Sequence, residues 1–218
     1  MWTWSLNWGE VTPHLVVGTC PMTPHDVKRI RDEAAVSAML SLQHDACLAY
    51  WHIDFIQLRA AASMLGLVVG RLPIRDFDLD DMRRQLPLAI AMLARLQADG
   101  HRTYVHCTAG LGRAPLTVLG YLTMIEGLDP EAAIRLILAA RPGAVPAWEA
   151  YHGCIGDLTD RHRTAIERRA YALYEQGVHG NAGADWRQAQ AEVLRGALLR
   201  LTPSEVPAVA GHCAGPSW

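Results

Sequence analysis

The sequence lacks the features that would link it to a nucleic acid or a membrane. Its net charge is −2 over 218 residues, so it has no excess of basic residues to attract nucleic acid or an anionic lipid surface. The N-terminus has neither a basic start nor an apolar run, so it does not resemble a signal peptide. No apolar run reaches the ~20 residues of a membrane span. We expect no nucleic-acid partner and no membrane association.

Cysteines are few and scattered. The five cysteines form no CxxC pair and no zinc-finger spacing, so we predict no bound metal and no cofactor. An odd number of thiols is typical of a reducing compartment, which predicts a cytoplasmic protein. The sequence also lacks internal repeats and low-complexity tracts. Half of the residues are hydrophobic, which is enough for a full core.

Short apolar segments alternate with helical ones along the first two thirds of the chain. Strands are expected near residues 14–19, 36–42, 67–74 and 103–105, and helices near 26–34, 54–65, 82–98, 116–125, 130–140 and 148–158. This alternation predicts an α/β fold with a central, mainly parallel sheet flanked by helices.

The composition changes at about residue 159. An amphipathic, Arg-rich helix, a Gly/Asn loop and a second helix over 186–199, capped by Asp185, are predicted there. Two helices cannot hold a large core alone. They are therefore expected to dock on the main domain or to form a homodimer with a second subunit. We predict a catalytic domain over 1–158, a small helical module over 159–200 and a flexible tail over 201–218.

One stretch brings a cysteine and an arginine to the junction of a strand and a helix. Residues 103–105 are β-branched and aromatic, as in a buried strand, and the apolar residues 116–125 are long enough for a helix. The loop between them carries Cys107 and, six residues later, Arg113. Such a junction directs backbone N–H groups and the positive end of a helix dipole to one point, which predicts an anion-binding loop.

The residue types in this signature loop (residues 107–113) suit phosphate transfer. The N–H groups and the dipole favour the thiolate form of Cys107, which makes it a nucleophile. The planar guanidinium of Arg113 matches two phosphate oxygens, and the glycines let the backbone approach an anion closely. His106 is expected to support the loop through hydrogen bonds. The alternative is an inert cysteine beside an unrelated arginine. The predicted phosphate-binding residues are Thr108, Ala109, Gly110, Leu111, Gly112 and Arg113.

A cluster of carboxylates follows the third strand, at the edge where open α/β sheets bind ligands. Four carboxylates lie within six residues. Asp80 and Asp81 suit the N-cap and first turn of the next helix, whereas Asp76 and Asp78 are not needed there. Phosphate transfer requires a proton donor for the departing oxygen and later a base for water. We predict Asp76 for both roles, with Asp78 in reserve; the alternative is that both are surface acids.

These motifs resemble the dual-specificity phosphatases, and more closely the glucan phosphatases, which act on starch-like or glycogen-like polymers. The resemblance covers residues 8–158, and its most specific part is Cys-Thr-Ala-Gly-Leu-Gly-Arg followed by Ala-Pro. Most dual-specificity enzymes place a Ser or Thr after the Arg. This chain has Ala114 there, as the plant glucan enzymes do. Further similar positions are Val16, Gly18, Pro21, Leu42-Gln43, Tyr50-Trp51, residues 75–78 and Leu86-Pro87.

The resemblance implies a cysteine-dependent phosphatase that works through a phosphocysteine intermediate without a cofactor. Cys107 would be the nucleophile, Arg113 the phosphate clamp and Asp76 the general acid. It also implies a cleft lined with aromatic rings, because a ring binds the C–H face of a sugar without demanding charge. The four matching positions are Trp8, Tyr50, Trp51 and Phe77. The alternative is that these side chains pack in the core.

Two departures from the plant enzymes affect the expected substrate. Those enzymes have an aromatic residue facing the cleft where this chain has Ala144 and Val145, and no carbohydrate-binding module is recognisable here. Both departures favour a shorter or soluble phosphoglucan. Residues 164–194 resemble a small helical domain of bacterial proteins, which implies a bacterial source and adds no activity.

Other functions remain open on the sequence alone. A protein tyrosine or dual-specificity phosphatase would use the same catalytic residues, although the aromatic loops and Ala114 favour a glucan. A phosphoinositide is disfavoured because the loop lacks lysines for a multiply charged headgroup. A non-catalytic phosphopolymer binder would need neither a thiolate nor an acid, and a sulfur transferase has no use for Asp76. We predict a phosphatase with a phosphorylated glucan as its substrate.

Overall fold

A computed structural model describes residues 3–178 and 180–201. Within them, five strands form one sheet in the order β1-β2-β5-β3-β4. The strands are β1 (Trp8–Thr12), β2 (Leu15–Gly18), β3 (Ala38–Gln43), β4 (Val68–Ile74) and β5 (Thr103–His106). The helices are α1 (Pro24–Glu33), α2 (Asp45–Tyr50), α3 (Phe55–Met64), α4 (Leu79–Ala98), α5 (Arg113–Met124), α6 (Pro130–Ala140), α7 (Trp148–Glu175) and α8 (Ala182–Arg200).

The predicted α/β fold with a mainly parallel sheet is confirmed. β5 lies between β2 and β3 and is parallel to both, and β4 extends the parallel sheet beyond β3. β1, which is not among the strands expected from the sequence, pairs antiparallel with β2 at the edge. α2 is likewise not among the expected helices. Because β5 is central, its carboxyl end opens at the middle of the sheet.

Helices cover both faces of the sheet because successive side chains of a strand point to opposite sides. On one face, Leu15, Val17 and Val105 belong to a large core shared with α4–α8. On the other, Val16 and Tyr104 join a smaller core with α1 and α3. All five side chains are essentially inaccessible to solvent. The sheet therefore holds the signature loop between two packed layers.

Two helix starts agree with the N-cap that the local sequence predicts, Thr23 before α1 and Asp129 before α6. Both side chains accept backbone N–H bonds there, and Asp54, which was not predicted as a cap, does the same for α3. The prediction for the last helix was wrong, because α8 begins earlier and its cap is Asn181. Asp185 instead lies inside the first turns of α8 and is buried.

The C-terminal helices pack on the main layer. α7 runs through residue 158 as one helix, so two separate helices on either side of that residue were predicted wrongly, and the predicted domain boundary falls inside α7. Ile166, Leu173, Leu194 and Leu198 share the core of α4 and α5. The two helices thus dock on the main domain, which was one of the two expected outcomes, and the homodimer has no support. The predicted flexible tail lies, beyond Leu201, outside the described residues.

Among the residues that the structure describes, no helix is both long and apolar enough to cross a membrane.

Candidate active site

The signature loop begins directly after the central strand β5 and leads into α5. Cys107 is only 3% exposed. Ala109, Leu111 and Gly112 of the same loop are half-exposed. The thiol therefore lies at the buried base of a loop whose rim meets solvent.

Several backbone donors of this loop have no partner in the part of the chain that the structure describes. Over the described residues, the N–H groups of Ala109, Gly110, Leu111 and Gly112 reach no acceptor. α5 starts next, after Gly112, and has no side-chain cap. Free N–H groups at a loop and at a helix start together bind anions. The loop thus has the donors that a phosphoryl group requires.

The two glycines of the loop have different roles. Gly110 has a φ of +67°, and a Cβ there would lie 2.3 Å from the carbonyl oxygen of Gly18. Gly112 has a φ of −110° and open space where its Cβ would be. Only Gly110 is therefore required by backbone conformation and by the close approach of β2.

Arg113 places its guanidinium against the loop and the carboxyl end of β4. Its Nη2 donates to Asp76 Oδ2 at 2.7 Å and to Thr108 Oγ1 at 3.2 Å. Its Nη1 donates to the carbonyl oxygen of Ile74 at 2.9 Å and lies 3.5 Å from Cys47 Sγ. These contacts fix the guanidinium in one orientation.

The Arg113 guanidinium is surrounded by anionic groups. Burial alone would lower its pKa, but the charges of Cys107, Asp76 and Cys47 act in the opposite direction and the net shift is upward. Its Nε is buried and has no hydrogen-bond partner. A buried donor without a partner is costly, so this nitrogen is free for a ligand oxygen. The structure thus brings Arg113 and Asp76 into contact, beside the loop that begins at Cys107.

The two candidate acids have different surroundings. The Asp76 side chain is 35% exposed and pairs with Arg113. Asp78 is the N-cap of α4 and accepts from the N–H of Asp81 at 2.8 Å. Assigning the cap to Asp80 or Asp81 was therefore wrong, since Asp78 makes that bond. The catalytic role of Asp76 stays a prediction, and Asp78 already has a structural role.

His106 is buried beneath the loop. Its Nδ1 lies 3.1 Å from the carbonyl oxygen of Cys107, so a neutral ring with its proton on Nδ1 can donate that bond. Burial lowers the pKa of His106 to about 4, against the opposing effect of the hydrogen bond. The ring is therefore neutral at pH 7 and suits the supporting role that was predicted.

The four predicted glucan-binding aromatic residues divide into two groups. Tyr50 is 76% exposed and Phe77 93% exposed, and Phe77 has a φ of +59°, which is unusual for a bulky residue. Trp8 and Trp51 are half-buried and pack against the smaller core, where Trp8 meets the Tyr104 ring edge-on at 6.3 Å. Tyr50 and Phe77 are free to meet a ligand, and for Trp8 the alternative of core packing is favoured.

Two further residues support the loop. Nothing in the sequence indicates that they would have this role. Gln43, at the end of β3, donates through Nε2 to Thr108 Oγ1 at 3.2 Å. Arg141, after α6, donates to the carbonyl oxygens of Ala109 and Gly110. Both are distant from the loop in sequence, so no local pattern could indicate them. Within the described residues, no three His, Cys, Asp or Glu side chains are grouped as metal ligands would be.

Comparisons with known proteins agree with this geometry. Residues 53–152 match the family model described as the dual specificity phosphatase catalytic domain. The chain is 34% identical over 155 residues to phosphoglucan phosphatase DSP4 of Castanea sativa, covering 70% of this chain and 41% of that protein. It is 26% identical to laforin of Mus musculus, covering 63% of this chain and 45% of laforin.

The chain therefore spans less than half the length of these two relatives. Among solved structures, the crystal structure of PTPMT1 is similar with a TM-score of 0.54. The match covers 67% of this chain and 90% of that one, at 19% identity, and shows a shared fold.

We predict that Gly110→Ala destabilises the protein, whereas Gly112→Ala leaves its stability close to that of the wild type. The first change combines a left-handed φ with a contact of 2.3 Å to a backbone oxygen. It should lower the unfolding free energy by ~1–3 kcal/mol. The second places a methyl group in open space. Urea denaturation of both variants measures the difference. Equal stability of the two variants would contradict the loop geometry.

We predict that His106 makes stability decrease in acid. Its folded pKa of about 4 lies below the value of 6.5 for a free histidine. The unfolded chain therefore takes up a proton between these values that the folded chain does not, and the unfolding free energy falls as pH drops from about 6.5 towards about 4. Above that window His106 contributes no pH dependence.

Urea denaturation between pH 7.5 and 4.5 should show a flatter pH dependence for His106→Asn than for the wild type. His25→Asn, at an exposed histidine, is the matched control and should retain the wild-type slope. If His106→Asn also retains that slope, the histidine is not buried in its neutral form.

Proposed function

We propose that this chain, of which residues 53–152 match the dual specificity phosphatase catalytic domain, hydrolyses phosphomonoesters on an α-glucan through a phosphocysteine intermediate. The observation that carries the proposal is the Arg113 guanidinium. It is buried, lies against a loop of free N–H groups, has an unpartnered Nε and holds Asp76. This arrangement suits a phosphoryl group with an acid beside it.

Phosphate binding would exchange one anion for another on Arg113. Nη1 stays anchored to the carbonyl oxygen of Ile74, so the guanidinium keeps its place. Two phosphoryl oxygens would take Nε and Nη2 as a bidentate pair. Asp76, whose side chain is partly exposed, would leave Nη2 and turn towards the leaving oxygen. The ion pair of the free site thus keeps the acid close to where it acts.

The reaction proceeds in two displacements. Asp76 takes up a proton once the phosphoryl group has displaced it from Arg113. The Cys107 thiolate then attacks phosphorus in line, the P–O bond to the sugar breaks, and Asp76 gives that proton to the departing oxygen. Water, losing a proton to Asp76, then attacks phosphorus, which breaks the S–P bond and returns the thiolate and inorganic phosphate. Arg113 and the loop N–H groups meet the equatorial oxygens, whose charge they match best in the transition state.

Similarity and exposure together support a glucan as substrate. DSP4, 34% identical to this chain, is a phosphoglucan phosphatase. The exposed rings of Tyr50 and Phe77 follow β3 and β4, which lie together on one side of β5. Val145, whose N–H donates to the carbonyl oxygen of Leu111 at 2.7 Å, is 74% exposed where an aromatic residue would face the cleft in the plant enzymes. Fewer rings favour a shorter or soluble phosphoglucan.

Cys107→Ser should abolish phosphate release from every substrate, and Asp76→Ala should separate substrates by leaving group. A sugar alkoxide needs a proton to leave and an aryl oxide does not, so Asp76→Ala should lose roughly 10²–10⁴-fold in rate on sugar phosphates and much less on aryl phosphates. Steady-state kinetics on both substrate types measures the contrast.

Asp78→Ala is the matched control for the acid. It should lose about 1 kcal/mol of stability through the missing cap, with no dependence on the leaving group. If Asp78→Ala shows the leaving-group pattern instead, the acid is assigned to the wrong residue. Turnover near the wild-type level in Cys107→Ser would exclude the phosphocysteine route.

The substrate class is tested by phosphate release from phosphorylated glucan and from phosphopeptides. We expect the glucan to be preferred, and Tyr50→Ala and Phe77→Ala to raise the KM for glucan several-fold without changing hydrolysis of a small aryl phosphate. Tyr171→Ala, at an exposed tyrosine of α7, is the matched control and should change neither. A preference for phosphopeptides that is unaffected by Tyr50→Ala would identify a protein phosphatase instead.

A further inference from the structure

Arg141 bonds to the backbone of the signature loop, and its three described side-chain hydrogen bonds go to Gly110, Ala109 and Asn7 rather than to the predicted nucleophile or acid. It follows α6 and is 9% exposed. Its Nε donates to the carbonyl oxygen of Gly110 at 2.9 Å, and its Nη2 donates to that of Ala109 at 2.6 Å. One planar guanidinium therefore holds two consecutive carbonyl groups in the middle of the loop.

Because peptide groups are planar, these two bonds also fix the direction of two backbone N–H groups in the loop. In a trans peptide the C=O of one residue and the N–H of the next point in opposite directions. Holding the carbonyl groups of Ala109 and Gly110 therefore points the N–H groups of Gly110 and Leu111 away from Arg141. Neither N–H finds an acceptor among the described residues. They are free for an anion on the opposite side of the loop.

The guanidinium is itself held from outside the loop. Its Nη1 donates to Asn7 Oδ1 at 2.6 Å. Asn7 is in turn joined to Thr19, since the carbonyl oxygen of Asn7 accepts from the Thr19 N–H at 3.0 Å. Gly18 closes the same side, because it leaves no room for a Cβ at Gly110. Arg141 is thus held in place by residues at the start of β1 and at the end of β2.

Arg141 also places a second positive charge near the nucleophile. Its Nε and Nη2 bond to carbonyl groups only three and two residues after Cys107. Burial lowers the pKa of this guanidinium from its ordinary value.

We propose that Arg141 is a positioning residue that aims the N–H groups of Gly110 and Leu111 at the bound phosphoryl group. The inference rests on the proposed function, because the phosphoryl group is the anion concerned. Arg113 would grip the anion directly, while Arg141 would fix the backbone donors that surround it. The two arginines would therefore fail in different ways when replaced.

Arg141→Ala should lower kcat roughly 10²-fold, as does the loss of an oxyanion donor in other enzymes. KM should change less, because the loop donors match the transition state better than the substrate. Binding of inorganic tungstate, followed by calorimetry, should weaken in parallel. Arg141→Lys keeps a positive charge but lacks the planar fork whose separate nitrogens hold the two carbonyl groups, so it should lose most of the activity while remaining folded.

Chemical rescue separates positioning from general destabilisation. Millimolar guanidinium chloride should restore part of the kcat of Arg141→Ala by occupying the vacated space, whereas sodium chloride of equal strength should not. Cys107→Ser should show no rescue. Arg83→Ala is the matched control: it loses an exposed two-bond ion pair with Asp157 and should keep wild-type kcat and tungstate affinity.

Two results would overturn the inference. One is a folded Arg141→Ala or Arg141→Lys variant with wild-type kcat and tungstate affinity. The other is a loss of kcat in either variant with unchanged tungstate binding. If Arg141→Ala is insoluble, Arg141→Lys decides between these outcomes. If the wild type hydrolyses no phosphoester, the proposed function fails, and the tungstate comparison still tests whether Arg141 positions the anion-binding loop.

Discussion

The buried charge of Arg113 is the constraint on which the site depends. Its side chain is 1% exposed, and an isolated guanidinium at such a position would cost on the order of several kcal/mol. The fold compensates with the Asp76 carboxylate, the Ile74 carbonyl and the Thr108 hydroxyl, yet leaves Nε without a partner. The free site is therefore only partly neutralised. Its strongest compensating group, Asp76, is also the most exposed, so an incoming dianion can replace it without disturbing the core.

This charge can be kept in place because the surrounding sheet is rigid. β5 is the central strand, and the side chains of Tyr104 and Val105 pack into opposite cores, so the start of the signature loop cannot shift towards either layer. The neutral ring of His106 then supports the Cys107 carbonyl without adding charge. Positive charge in the site comes from arginines held by backbone oxygens. The protein thus separates the task of holding the loop from the task of binding its ligand.

Structural features that depend on residues close in sequence could be predicted. Features that depend on contacts between residues distant in sequence could not. The strand β5, the loop after it and the caps Thr23 and Asp129 follow from local patterns, and the structure has them. β1 was missed because a five-residue edge strand is recognisable mainly by its pairing with β2. Among the carboxylates after β4, several residues satisfy the capping pattern, and only the bond from Asp81 N–H identifies Asp78. Arg141 is 31 residues from Gly110 and 134 from Asn7, so its role depends entirely on tertiary structure.

The same layout bears on how a polymer would be held. The exposed rings of Tyr50 and Phe77 follow β3 and β4, which lie on one side of β5. On the other side, α6 packs against β1 and leads to Ala144, which is buried, and Val145, which offers only an aliphatic side chain. A sugar chain crossing this cleft would stack on rings at one end only. Since each stacked ring adds affinity without charge, a one-sided cleft binds fewer sugar units. Recognition would then rest more on the phosphoryl group in the loop than on the length of the glucan, which suits a short or soluble substrate better than a granule surface.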